Sequence, residues 1–185
     1  MIGFAMCGSY CTHKKALEQL ERLTRIDRVQ PIMSENVYTV STHFGTAEYL
    51  KKRVREICEN DIIHTIVEAE PLGPKTPLDA LIICPCTGNS LAKISLGITD
   101  TAVTMAAKAH LRSDRPLIIA LASNDALSSN LKNIGSLLSR KHVYFVPMAQ
   151  DDPEKKPHSL VADFSLLIPT YEAALKEKQY QKIFI

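Results

Sequence analysis

The chain contains no tryptophan, and tyrosine and phenylalanine together keep the aromatic share at 6%. A nucleic-acid reader that stacks bases on aromatic platforms needs more than this. A surplus of positive charge is missing too. A formal net charge of +2 over 185 residues, with no long Lys/Arg cluster, leaves no electrostatic footprint for a phosphate backbone. No apolar run has the length of a membrane span. Met1 to Met6 lack the basic start and long apolar stretch of a signal peptide and read instead as a first strand. Cysteine is odd in number, five, and scattered, which argues against a disulfide scaffold and predicts a reducing, cytoplasmic setting. The first strand-to-helix turn holds one glycine where a dinucleotide fingerprint needs three, and the GK[ST] ending of a P-loop is absent. There is no internal repeat and no low-complexity stretch.

What is present is an ordinary globular composition, 45% hydrophobic and 23% charged, in a chain whose length predicts one domain over residues 1–185. Short apolar runs alternate with helical patterns, the signature of a parallel sheet covered by helices. Strands are predicted at Ile2–Met6, Val29–Met33, 62–67, 81–84, 117–121 and 143–146, with a last edge strand at 183–185. Helical spacing of Ala16, Leu17, Leu20 and Leu23 marks the first helix, and Ala47, Leu50, Val54 and Ile57 mark a second, with Ser41-Thr42 as its N-cap. Further helices are expected around Leu91–Ile94 and at 100–111, 127–138 and 171–178. Residues 70–77, with three prolines, and 151–157, charged and proline-containing, read as loops.

In an open parallel sheet, ligands bind outside the carboxyl ends of the strands, so the strand-to-helix turns carry the chemistry. In the first, Gly8 lets the backbone approach closely, Ser9 and Thr12 add hydroxyls, and the next helix aims its free N–H groups at the same point. The alternative is a capped turn with no ligand. The second turn, Ser34-Glu35-Asn36, offers another hydroxyl. The third, Pro85-Cys86-Thr87-Gly88-Asn89-Ser90 with Lys93 on the helix behind it, suits a planar polar ligand. In the fourth, Asn124 or Asp125 either caps the following helix or reaches the same crevice.

The order of the Gly8-Ser9 turn, Pro85-Cys86-Thr87-Gly88-Asn89-Ser90-Leu91-Ala92-Lys93 and Gly97-Ile98-Thr99-Asp100 resembles the flavin-binding cysteine decarboxylase-like flavoproteins. Four other stretches are similar to the B-subunit family of dipicolinate synthases. They are Glu68-Ala69-Glu70-Pro71-Leu72-Gly73-Pro74-Lys75, Thr104-Met105-Ala106-Ala107-Lys108-Ala109, Ser123-Asn124-Asp125-Ala126-Leu127 and the run from Tyr144 to Pro153. The resemblance implies a doubly wound, Rossmann-like and flavodoxin-like three-layer sandwich with a mainly parallel sheet. It implies an FMN site, a homo-oligomer built from trimers, and as partner the dipicolinate synthase A subunit, which carries the NAD(P)-binding pattern. It also implies participation in oxidising dihydrodipicolinate, or its hydrated precursor, to dipicolinate during sporulation. A non-catalytic scaffolding role is the alternative. The residues it carries over to the flavin are Gly8, Ser9, Ser34, Thr87, Gly88, Asn89, Lys93 and Asn124. Where the decarboxylases have a Pro-x-Met-Asn motif this chain has Ala122-Ser123-Asn124-Asp125, which counts against decarboxylation.

Other residues have two readings. His64, in the run Ile62-Ile63-His64-Thr65-Ile66, is a candidate general base or a satisfied histidine on a sheet surface. Cys7, Cys11, Cys84 and Cys86 have poor spacing for zinc and read better as small buried groups, so no metal is expected. Cys86 has a possible redox role beside a flavin. Lys155-Lys156 read as a solvated face. Lys75 and Arg112 are cations able to meet the carboxylates of a pyridine diacid.

Overall fold

The computed structural model describes residues 1–73 and 75–185. Pro74, within the expected proline loop, lies outside the described residues. Among the described residues seven strands form the sheet: β1 Ile2–Met6, β2 Val29–Met33, β3 Ala80–Cys86, β4 Leu117–Ser123, β5 Val143–Phe145, β6 Met148–Ala149 and β7 Leu160–Ala162. The helices are α1 His13–Leu23, α2 Glu35–Thr39, α3 Ala47–Cys58, α4 Ile66–Ala69, α5 Gly88–Leu96, α6 Ala102–Leu111, α7 Leu131–Leu138 and α8 Leu167–Ala174. One 3-10 turn, Tyr10–Thr12, leads into α1, and a second, Phe164–Leu166, leads into α8.

The parallel part runs β2-β1-β3-β4, with β5 on the far side of β4, which is the flavodoxin-like doubly wound order. The pleat sorts the core into two layers. Ile2, Phe4, Met6, Ile82 and Ile118 point to one face, where they meet Ala16, Leu20 and Leu23 of α1, Val54 of α3 and Tyr171 of α8. Ala5, Leu81, Ile83, Ile119 and Phe145 point to the other, against Leu91 of α5, Val103 of α6 and Ile134 of α7. Since β3 and β4 are buried at every position, they read in sequence as unbroken apolar runs rather than alternating ones.

Several expected elements are placed differently. Residues 62–67 do not form a strand. Ile63 makes one parallel bridge to Ile32, and then Thr65 and Glu68 close a capping box that starts α4. The N-cap of α3 is Thr46 rather than Ser41-Thr42. Its hydroxyl accepts from Tyr49 N–H, while Ser41 Oγ accepts from Ala47 N–H. The last helix starts upstream of 171, and residues 183–185 contribute only a bridge from Phe184 to Met148. The short antiparallel pair β6–β7 has no signal in the sequence. It extends the carboxyl end of β4, with Ala122 opposite Val161 and Ser123 opposite Leu160. Among the described residues no helix is long and apolar enough to cross a membrane.

Candidate functional site: a polar crevice at the carboxyl end of the sheet

The carboxyl ends of β1, β3 and β4 and the loop between β6 and β7 enclose a crevice of about 620 Å³. Ser9, Thr87, Gly88, Asn89 and Asn124 all line it, so three turns that are separate in the sequence meet at one place.

The first turn is organised by its own side chains. Ser9 stands in the left-handed region (φ 54°, ψ 48°) and its hydroxyl donates to Ala122 O at 2.7 Å, tying the turn to the end of β4. Thr12 Oγ1 donates back to Ser9 O at 2.8 Å. His13 Nε2 lies 2.9 Å from Cys7 O and 3.0 Å from Gly8 O, and so pins the preceding peptides. Among the described residues the N–H groups of Ser9, Tyr10 and Cys11 find no partner, as expected at the start of a helical segment. The anion-binding capacity of this turn therefore rests on N–H groups, because the Ser9 hydroxyl already donates its hydrogen to the chain itself.

In the third turn Thr87 is the N-cap of α5. Its Oγ1 accepts from Ser90 N–H at 3.2 Å. Asn89 follows, exposed, on the first turn of α5, and Asn124 is exposed at the end of β4. Gly88 is explained by packing as well as by the crevice. A methyl group there would meet Asn130 Nδ2 at 2.6 Å and Asp125 Oδ1 at 2.7 Å, with Ser123 Oγ closer still. Those three groups form a chain of their own. Ser123 Oγ donates to Asp125, Asn130 Nδ2 donates to Asp125 Oδ2 at 2.9 Å, and Asn133 Nδ2 donates to Asn130 Oδ1 at 2.8 Å. Asp125 thus ties the β4 turn to the start of α7.

The loop that the sequence marks as a solvated face closes the crevice. Asp151 and Lys156 line it, joined at 2.7 Å, and this contact together with Ser159 holds the Asp151 carboxyl below the usual carboxylate range. The signal in the sequence is the charge pair itself, but its place depends on β7 pairing with β4.

The remaining candidates stand elsewhere. Ser34 caps the carboxyl end of β2, its N–H bonded to Met6 O, and is not among the crevice-lining residues. Lys93 points to Asp100 at 2.8 Å and does not line the crevice either. His64 stacks on Tyr38 at 3.8 Å between centroids, its Nδ1 faces Glu68 at 3.3 Å, and it does not line the crevice. Lys75 and Arg112 precede β3 and β4, and hence belong to the amino end of the sheet, opposite the crevice. Cys7, Cys84 and Cys86 are buried and Cys11 is exposed. Burial pushes the Cys7 thiol up to about 11 and holds those of Cys84 and Cys86 well above the usual thiol range, which removes the thiolate that a redox role for Cys86 requires.

Comparison with known proteins identifies the family and the fold. The B subunit of dipicolinate synthase from Bacillus subtilis (strain 168) is 43% identical over the whole of this chain and 92% of its own length. The crystal structure of the corresponding B subunit from Bacillus halodurans superposes with a TM-score of 0.91 at 43% identity, covering 100% of this chain and 95% of the other. The FMN-dependent cysteine decarboxylase SpaF shares the fold, with a TM-score of 0.67 at 18% identity over 95% of both chains. Residues 1–164 match the Flavoprotein family, and the chain belongs to that family, within the group of dipicolinate synthase B subunits.

Proposed function

We propose that this chain is the flavin-carrying component of a dipicolinate synthase and that the crevice holds FMN. The observation that carries the reading is the convergence, in one crevice, of Ser9 and Cys11, whose N–H groups are free, with the uncommitted amides of Asn89 and Asn124. The residues fit a mononucleotide. A helix start suits a phosphate, exposed amides suit the polar edge of a planar ring, and the volume is within the roughly 300–1,000 Å³ of small-molecule sites. Bound FMN would supply hydride-accepting chemistry for oxidation of dihydrodipicolinate, or its hydrated precursor, to dipicolinate. The chain's own contribution is binding and orientation. Gly8 to Cys11 fix the anionic end, Thr87 to Asn89 present backbone and amide groups, and the 150–159 loop limits access to water. The partner A subunit supplies NAD(P), and the chain itself forms trimer-based homo-oligomers.

One observation favours a second reading, a scaffold that stabilises the partner A subunit. The crevice lining contains the carboxylates of Asp125 and Asp151 but one cation, Lys156, which is already paired. A pyridine diacid entering there meets repulsion.

Flavin titration of the purified chain, with and without the partner A subunit, separates the two. The FMN reading expects a yellow protein that bleaches on anaerobic addition of the dihydropyridine substrate. A colourless protein that takes up no FMN, together with full activity of the isolated partner, overturns it in favour of the scaffold.

A further inference from the structure

The loop between β6 and β7 brings one cation to the crevice and holds it there loosely. The main chain of the loop is fixed. Lys156 N–H donates to Asp152 O at 2.7 Å, Ser159 N–H donates to Lys156 O at 3.0 Å, and Leu127 N–H donates to His158 O at 2.9 Å. The fold thus places the backbone of Lys156 at the crevice wall. Its side chain is exposed, and among the described residues its Nζ meets Asp151 Oδ2 alone, at 2.7 Å. An ion pair with this exposure is screened by water and salt and holds its partners weakly.

Asp151 does not depend on that pair alone. Ser159, buried in the same wall, supports its carboxylate as well. The Lys156 ammonium can therefore turn away without stranding the carboxylate. Ser9, Cys11 and Thr12 of the first turn line the same crevice, and Cys11 lies close enough to Lys156 for a charge on one to act on the other. Among the described lining residues Lys156 is the one cation. The ammonium and the free N–H groups of Ser9 and Cys11 thus border one space. A phosphate monoester, with about −1.5 to −2 charge at pH 7 and three acceptor oxygens, takes such groups together as its partners. A carboxylate has a single charge, and gains little from an ammonium that a carboxylate already holds.

We propose that Lys156 exchanges Asp151 for the phosphate of a bound ligand, and so makes the crevice select a phosphate monoester over its unphosphorylated parent. The exchange rests on the mononucleotide reading of the crevice, and adds to it the side chain that recognises the phosphate. Asp151 is the competing partner. It holds the ammonium in the free chain and keeps Ser159 when the ammonium turns to the ligand.

FMN, riboflavin and inorganic phosphate test the exchange, read by binding and by melting temperature rather than by turnover. FMN and riboflavin share the ring system and differ in the phosphate. Lys156→Gln should weaken FMN by about fivefold and leave riboflavin as in the wild type, a modest factor because the phosphate contact replaces the Asp151 pair. Lys156→Arg should restore most of the preference for FMN. Asp151→Asn, which removes the competitor, should tighten FMN by about threefold. Inorganic phosphate should raise the melting temperature of the wild-type chain more than that of Lys156→Gln. A wild-type chain that takes up neither flavin removes the mononucleotide reading, and phosphate then decides the exchange by itself. A phosphate shift that depends on Lys156 upholds it and assigns the site to another phosphorylated ligand. FMN affinity unchanged in Lys156→Gln, equal weakening of FMN and riboflavin, or a phosphate shift indifferent to the substitution overturns the proposal.

Discussion

A methyl group added at Gly88 has nowhere to go, because Asp125 and Asn130 occupy the space it would need. Gly88→Ala is expected to cost about 1–3 kcal/mol, the range for overpacking, as measured by denaturant unfolding of the ligand-free protein. A loss of flavin affinity in that variant at full stability would show that the glycine serves the ligand alone. Ser9 behaves differently. Ser9→Ala removes the tether to Ala122 O, at about 1 kcal/mol, and should leave phosphate affinity nearly intact because the donors at that turn are N–H groups. Titration adds a third residue-level expectation. Burial holds His13 and His110 below the ordinary histidine value of 6.5. The unfolded chain therefore binds more protons than the folded one as pH falls below 6.5, and stability, full above that value, declines toward the depressed folded pKa values. The melting temperature should be lower at about pH 5.5 than at about pH 7.5. His13→Gln, which keeps an N–H for the two carbonyls, should remove part of that drop. At this scale the sequence is informative about identity and weak on partners. Ser9, Thr87, Asn89 and Asn124 are legible as turn residues after buried strands. That Ser34 and Lys93 fall outside the crevice is not, because a turn motif does not reveal which way its side chains leave it.

At the scale of elements, the edges of the sheet show how local signals and tertiary contacts divide the work. β5 is short and its outer edge is covered by a side chain. Phe145 N–H donates to Gln179 Oε1 at 2.8 Å, and Gln179 Nε2 donates to Phe145 O at 2.7 Å, so one amide imitates a neighbouring strand. Gln179→Ala should lower stability by about 1–2 kcal/mol and raise self-association at high concentration, read by unfolding and light scattering. Helix α3 is recognisable in the sequence from Ala47, Leu50 and Val54, but its cap is not. Both Ser41 and Thr46 bond to its first turn, and only the chain path through the Thr42–Gly45 bridge decides which is the N-cap. Residues 62–67 are apolar enough for a strand, and they fail as one because the Thr65–Glu68 capping box competes with pairing beyond Ile63.

For the whole molecule, the flavin reading carries a thermodynamic consequence. A ligand that binds the folded chain alone stabilises it by about 2.7 kcal/mol at a hundred times its dissociation constant. FMN should therefore raise the melting temperature in proportion to the logarithm of its concentration, and inorganic phosphate should reduce that shift by competing for the first turn. A melting temperature indifferent to FMN would remove the mononucleotide from the crevice.

Residue order alone dictates the layered sheet. Full burial of β3 and β4 demands continuous apolar runs, and the helices between strands demand 3.6-residue spacing, both of which are local patterns. It also dictates that the carboxyl-end turns are polar, beginning with Gly8-Ser9. Which of those turns meet is decided by the tertiary fold. The β6–β7 pair, with two and three residues per strand, is too short to leave a periodic signal, yet its pairing with β4 carries Asp151 and Lys156 from a charged loop into the crevice wall. Likewise, the His13 tautomer follows from two carbonyls brought to Nε2 by the fold of the turn, a matter of geometry that residue order does not encode locally.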